Sequence, residues 1–298
     1  MKTFKTALLL AALSGLLLFI GDRLVPGGGG LVVALGFAAV MNLGAWFFSD
    51  KIAIKMARAK PMEEADYPGV YRIVRRLSER AGKPMPRLYI SPSPQLNAFA
   101  TGRSPKHAAV CVNQGLYEAL TDDELEGVLG HELQHVYNRD VLIGSVAATI
   151  AAAITMLARM AFWFGGGRDR EGGAAAGLLM MILAPIAAML IQAAVSRARE
   201  SAADHTGAEL TGNPLALASA LRKLEQAHSN PAMARRGATP AETSAAFSHL
   251  YIAAPFGGRA MGSMAQLFTT HPPISKRVEA LEEMARRSGQ LGPDPYRG

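Results

Sequence analysis

His131, Glu132 and His135 stand in the run His131-Glu132-Leu133-Gln134-His135, an HExxH spacing that on a helix aims two imidazoles and a carboxylate at one point. Histidines four residues apart share a helical face and can bind one zinc ion. The glutamate between them then sits beside the metal-bound water and can take its proton. Three fixed positions also recur by chance, so the bland alternative is two polar histidines on a surface helix, and the surroundings must decide.

The first of those surroundings is a helix with a defined start. Thr121-Asp122-Asp123-Glu124 reads as a capping box, with Thr121 as N-cap and Glu124 reaching back, and the acidic first turn suits the positive end of the helix dipole. Leu125, Val128, Leu129, Leu133 and Val136 then recur at helical spacing. They give the segment an apolar face that can pack and hold the histidines still.

Two histidines and a water leave zinc one protein ligand short. The run from Ser196 to Asp204 places Glu200 and Asp204 on one helical face. Glu200 can bind the metal, and Asp204 can accept the free ring N–H of a ligand histidine, His131 being the preferred partner, which would fix its tautomer. The alternative is a solvated surface pair beside Arg197 and Arg199.

Half of the 298 residues are hydrophobic yet only 7% are aromatic, and the apolar residues gather in four blocks. These are Ala7 to Ile20 (extendable over Thr6 to Val25), Leu31 to Phe48, Val141 to Phe164 and Ala174 to Val195, each a candidate membrane span. Arg159 near a segment end can snorkel to the headgroups, and Pro185 is tolerable inside a membrane helix. The first block lacks a small-x-small cleavage site and a second follows almost at once, so an uncleaved hairpin is expected rather than a signal peptide. Two blocks separate His135 from Glu200, and an even number of crossings returns the chain to the same face. Span count and ligand choice therefore support each other.

Lys2, Lys5, Lys51, Lys55, Arg58, Lys60, Arg197 and Arg199 all fall on one side of a four-span arrangement. The opposite loops offer Arg23, Arg168 and Arg170, offset by Asp22, Asp169 and Glu171. Both termini and the polar segments are expected in the cytoplasm. The flanking charge accounts for the net +7, and no basic stripe with interleaved aromatics suggests nucleic acid. Cys111, the one cysteine, lies in an apolar strand and reads as core.

The domain reading is a transmembrane hairpin over 1–50, a first catalytic half over 51–140, a second hairpin over 141–196 and a second catalytic half over 197–298. Within the halves the pattern predicts a helix from Tyr67 to Ala81, strands at Arg87 to Ile90 and Ala108 to Val112, and an extended piece from Asn97 to Thr101. It also predicts a helix opened by Asn213-Pro214 and a terminal helix whose Ile274, Val278 and Leu281 share a face. His228 to Ser248 reads as a long loop, and Gly289 onward as a tail.

Several separated segments resemble one family, the HtpX-type bacterial membrane metalloproteases, within the wider group that includes the CAAX prenyl proteases. They are Asn97-Ala98-Phe99-Ala100, His131 through Asp140, Arg199-Glu200 through Asp204, and His271-Pro272-Pro273 followed by Arg277. The order of the four blocks agrees as well. Gln134 departs from the small residue usual in the family and affects local packing only. The resemblance implies a fold class that is mainly α with a small β-sheet: an integral membrane protein with four transmembrane helices and a cytoplasmic zincin-like (gluzincin) metalloprotease domain. It also implies a zinc endopeptidase, one zinc ion per chain, acting on misfolded or damaged membrane proteins in a stress response. His271 and Arg277 are the oxyanion donors the family pattern supplies, and Asn97 to Ala100 the extended segment bordering the cleft, where an edge strand could pair with a substrate backbone. For His271 the alternative is a helix-start residue before two prolines, and for Phe99 it is core packing. His107, His205, His228 and His249 read as surface or loop residues.

On the residues alone, zinc held by His131, His135 and Glu200 keeps an open position and activates a water, while Glu132 removes its proton and hands it to the leaving amine. Two competing readings share parts of this site. A CAAX-type processing protease would be expected to have more spans than four. A zinc-stapled membrane adaptor without catalysis would have no use for a glutamate beside the water position. The partners expected are unfolded membrane proteins and the lipid bilayer; the oligomeric state is not legible.

Overall fold

The computed structural model describes residues 2–24, 47–164, 173–228 and 271–291, with scattered positions between 29 and 44. The loop expected from His228 to Ser248 lies outside the described residues save for His228 itself. So do the greater part of the second apolar block, the charges at 168–171 and the tail beyond Leu291. The described residues form two compact units whose sequence segments alternate: one takes residues up to Phe47 and those from Leu142 to Ala198, the other Phe48–Val141, the residues from Arg199 to 228, and 271–291.

In the first unit the N-terminal helix α1 (Lys2–Leu24) accompanies most of two long helices, which continue into the second unit. Asp140–Phe164 and Gly173–Thr211, the latter with Pro185 inside it, are taken up below as α6 and α7. Leu13 and Leu17 pack with Ala147, Ala151, Ile154, Leu157, Ala184 and Ala188 in a core of small and branched apolar side chains. The outside of this unit is also apolar: Leu8, Leu18, Phe19, Leu179, Ile182 and Met189 are half exposed or more. Two of the described helices are long and apolar enough to cross a membrane, over Asp140–Arg159 and Met181–Thr211, and Ala7–Phe19 is a shorter apolar helix.

The second unit is mainly helical with a small mixed sheet. A short helix α2 (Ser49–Met56) leads to strand β1 (Lys60–Pro61), followed by α3 (Pro68–Ala81), β2 (Arg87–Ser91), β3 (Ala98–Thr101) and β4 (Ala109–Asn113). The sheet runs β1-β2-β4-β3, with β2 and β4 parallel and both edges antiparallel. Strand β1, two residues carrying a proline at a sheet edge, has no sequence pattern that would have revealed it. Then come α4 (Gln114–Ala119), α5 (Asp122–Tyr137), α6 (Asp140–Phe164), α7 (Gly173–Thr211), α8 (Pro214–His228) and α9 (Ile274–Arg287).

α5 is the central element. Thr121 accepts from the Glu124 backbone N–H and Glu124 accepts from that of Thr121, the capping box expected from sequence. Leu125, Val128, Leu129, Leu133 and Val136 are buried with Val70, Val74 and Leu77 of α3 and Leu217, Leu221 and Leu224 of α8. Burying each such side chain stabilises by roughly 1.5–3 kcal/mol, which is what holds α5 rigid in its frame. Asn213 Oδ1 accepts from the Ala216 N–H and starts α8 as its N-cap. Cys111 is fully buried against Phe99, Ala53 and Ala57, as a core residue.

Candidate metal centre and active site

Two glycines bring the ligand-bearing helices together. A Cβ on Gly207 of α7 would stand 2.9 Å from the Cα and nitrogen of His131, and one on Gly130 of α5 would stand 2.6 Å from Thr211 Cγ2. The backbones therefore meet almost directly, and side chains two turns up α7 can reach the histidines of α5.

They do so. His131 Nε2 and His135 Nε2 are 3.1 Å apart. Glu200 reaches both, with Oε1 3.2 Å from His135 Nε2 and Oε2 3.6 Å from His131 Nε2. Two donors on a tetrahedral ion at about 2.05 Å would be roughly 3.3 Å apart, so these three atoms are spaced as ligands of one zinc-sized ion. His131, Glu132, Glu200 and Asp204 are all buried, which removes the solvated-pair alternative for Glu200 and Asp204. Four carboxylates (Glu132, Asp140, Glu200, Asp204) and two guanidiniums (Arg199, Arg277) converge here, all at most lightly exposed. With all four carboxylates ionised and the histidines neutral the site would carry two net negative charges, which a divalent cation would balance. The donor set of two imidazoles and one carboxylate fits zinc.

Each ligand histidine is held from behind by an aspartate and an arginine. His131 Nδ1 lies 2.9 Å from Asp204 Oδ1, and Arg277 donates to both Asp204 oxygens, from Nε at 2.8 Å and from a terminal nitrogen at 2.7 Å. His135 Nδ1 lies 2.8 Å from Asp140 Oδ2, while Arg199 Nε donates to Asp140 Oδ1 at 2.5 Å. Asp204 is where sequence placed it. Asp140 and Arg199 were not assigned to the site. Arg199 stood among the positive charges flanking a span, whereas it is buried and bonded. A residue directly before a ligand, on a helix face turned to the protein, was the available signal.

Arg277 also lies beside the ligands. Its guanidinium is engaged by Asp204, with a third nitrogen 3.7 Å from Glu200 Oε2, so it points into the ligand framework. His271 is buried with Nδ1 3.2 Å from Glu200 Oε2, and is not a helix-start residue on the surface. His107 and His205 are exposed, as expected.

The electrostatics follow the packing. Burial pushes Glu132 up to about 8, Glu200 adding to it, while His135, the Ala100 N–H and Arg277 oppose; a divalent cation at the three donors would pull it back down. Burial also disfavours charge on Glu200, but His271 and His135 outweigh it and hold Glu200 well below the usual carboxylate range. His131 is lowered, with burial leading; in His135 the Glu200 and Asp140 carboxylates overcome burial and raise it well above the ordinary value.

Among the described residues β3 is an edge strand of the sheet; it lies beside α5 and is buried along its length. Asn97 O accepts from Asn113 N–H across to β4, so by the alternation of an antiparallel ladder Asn97 and Phe99 turn their backbone groups toward β4, and Ala98 and Ala100 turn theirs away from it. Ala100 N–H accordingly donates to Glu132 Oε2 at 2.9 Å. The Phe99 ring is buried with Cys111, Ala53 and Ala57, so its side chain is core.

The sequence of this chain matches the model of peptidase family M48 over residues 64–285. The chain belongs to peptidase family M48. It is 51% identical over 292 residues to a protease HtpX homolog of Pelotomaculum thermopropionicum, covering 96% of this chain and 100% of that one. It is 50% identical over 290 residues to one of Syntrophobacter fumaroxidans, covering 94% and 99%. The fold is similar to that in the crystal structure of S. mikatae Ste24p, with a TM-score of 0.56 at 18% identity, over 94% of this chain and 64% of that one. As a member of M48 the chain is a metallopeptidase, and the HtpX resemblance read from its motifs extends over nearly its whole length.

Proposed function

We propose that this M48 chain is a zinc endopeptidase that cuts unfolded or misfolded membrane proteins at the cytoplasmic face of the bacterial inner membrane. The observation that carries it is the convergence of His131 Nε2, His135 Nε2 and Glu200 within 4.8 Å of one another, with Glu132 next to them on the same helix and an edge strand of the sheet beside it. His131, His135 and Glu200 would hold the zinc. When bound, it would supply a Lewis acid for the scissile carbonyl and lower the pKa of a water to about 7.

The protein's own residues do the rest. Glu132 takes the water's proton during attack and delivers it to the leaving amine, which asks for a carboxylate near the reacting atoms that is not itself a ligand. His271, buried with Nδ1 3.2 Å from Glu200 Oε2, is the side chain we assign to the oxyanion. Arg277 acts through Asp204 instead. A substrate strand would pair with the outward groups of Ala98 and with the Ala100 C=O, the Ala100 N–H being bonded to Glu132, while Asn97 and Phe99 support the strand from behind. Main-chain pairing reads little sequence, which suits an enzyme that must accept many unfolded chains.

The membrane part of the reading rests on the apolar exterior of the first unit, on its two long apolar helices and on the Lys/Arg asymmetry. Four spans and a cytoplasmic site are our reading of these together with the apolar blocks in the sequence. Detergent-purified enzyme is expected to cleave an unfolded model protein, to stop on chelation and to resume on zinc addition; metal-independent cleavage would sink the proposal. Reporters inserted at Lys60 and fused after Gly298 should both read cytoplasm, and one at Gly166 the opposite side.

A further inference from the structure

We infer that Asp140 and Arg199 act as a positioning pair for the second metal ligand, His135, holding its ring in the tautomer and direction that metal binding needs. The inference rests on the zinc reading above. The two ligand histidines are not equally secured. His131 is wholly buried in mid-helix, its backbone against Gly207. His135 sits in the last turn of α5 with 16% of its side chain exposed, where packing alone restrains a ring least.

What replaces packing is a hydrogen-bonded chain. α5 ends at Tyr137, Arg139 takes a left-handed conformation at φ 56°, and the turn brings Asp140, the first residue of α6, back beside His135. A non-glycine residue there carries roughly 1 kcal/mol of strain, so the sequence tolerates a cost for placing Asp140. Asp140 Oδ2 accepts from His135 Nδ1–H, which assigns Nε2, the nitrogen turned toward His131 and Glu200, to the metal. Arg199 bonds the other oxygen, which fixes the carboxylate and balances its charge in a nearly dry site. Since Arg199 directly precedes Glu200, one turn of α7 delivers both the third ligand and the clamp on the second.

The competing explanation is a salt bridge that merely ties the start of α6 to α7. Zinc affinity and thermal stability separate the two. Full-length protein in detergent is titrated with zinc against a competing chelator, and its Tm is measured in chelator and in zinc. Asp140→Ala and Arg199→Gln should each weaken zinc binding by about 10- to 100-fold, and shrink the rise in Tm that zinc produces. Arg199→Lys should fall between, and the double variant should lose no more than the worse single one, because both act through one ring. Cobalt-substituted variants should show altered d–d bands. A lower Tm in chelator with wild-type zinc affinity would make the pair a structural bridge only, and additive losses in the double variant would separate the residues; either result overturns the inference. Failure of the wild type to bind zinc would instead overturn the zinc reading, and this inference with it.

Discussion

Gly207 of α7 faces the backbone of His131 so closely that a Cβ there would stand 2.9 Å from the His131 Cα. The contact sets how near Glu200 and Asp204 come to the α5 histidines, because all three α7 residues lie along one helical stretch. Gly207→Ala must push two backbones apart, at a cost of roughly 1–3 kcal/mol. Tm and zinc occupancy are expected to fall together. Gly69→Ala in α3, where a Cβ meets nothing within 4 Å, serves as the control and should lower neither.

Glu132 and Glu200 are both buried carboxylates in the centre, yet only one is spaced as a ligand. Glu200→Gln should sharply lower zinc content because an anionic donor is lost. Glu132→Gln should keep the metal and lose turnover by at least about 100-fold, the range of a general base. Elemental analysis beside a peptidase assay checks both, and equal zinc content in the two variants would remove Glu200 from the ligand set.

The parts of this site that were legible in the sequence are those set by local periodicity. HExxH on a capped helix, and Glu200 with Asp204 one turn apart, follow from helical spacing, and so does the apolar face of α5. Asp140 and Arg199 were not legible, because their bond joins residues 59 apart in sequence and forms only when α5, α6 and α7 meet. Charge next to an apolar block reads by default as a membrane flank. Arg277 was legible as a site residue, but its bond to Asp204 was not, since it joins residues 73 apart in sequence. Strand β1 is two residues long and defined by its partner alone, so no periodicity could announce it.

Glu124 links the start of α5 to α8. It accepts from the Thr121 N–H, from Ser219 Oγ at 2.7 Å and from Lys223 Nζ at 2.6 Å. Burial alone would raise its pKa, but Lys223, the Thr121 backbone and Ser219 outweigh burial and lower it from 4.5. A depressed carboxylate stabilises the fold above its unfolded pKa, and the contribution disappears as pH falls through the folded value. The Tm gap between wild type and Glu124→Gln should be full near neutrality and shrink as pH drops below 4.5. A gap that stays constant with pH would mean that the Glu124 charge contributes nothing.

Arg277 and His271 both approach Glu200 Oε2, at 3.7 and 3.2 Å, but the chemistry behind each differs. The Arg277 fork is engaged by Asp204, which in turn holds His131, so its loss should reach the metal through a ligand. Lysine keeps the charge but cannot donate from two fixed nitrogens at once. Arg277→Lys is therefore expected to weaken zinc binding several-fold and to lower activity in proportion to the metal lost, so that excess zinc restores much of it. His271→Gln should retain zinc and lower kcat by about 100-fold or more, as removal of an oxyanion donor does, with no rescue by added metal. If instead Arg277→Lys kept full zinc affinity and lost kcat, the guanidinium would be the oxyanion donor, and the roles assigned to these two residues would have to be exchanged.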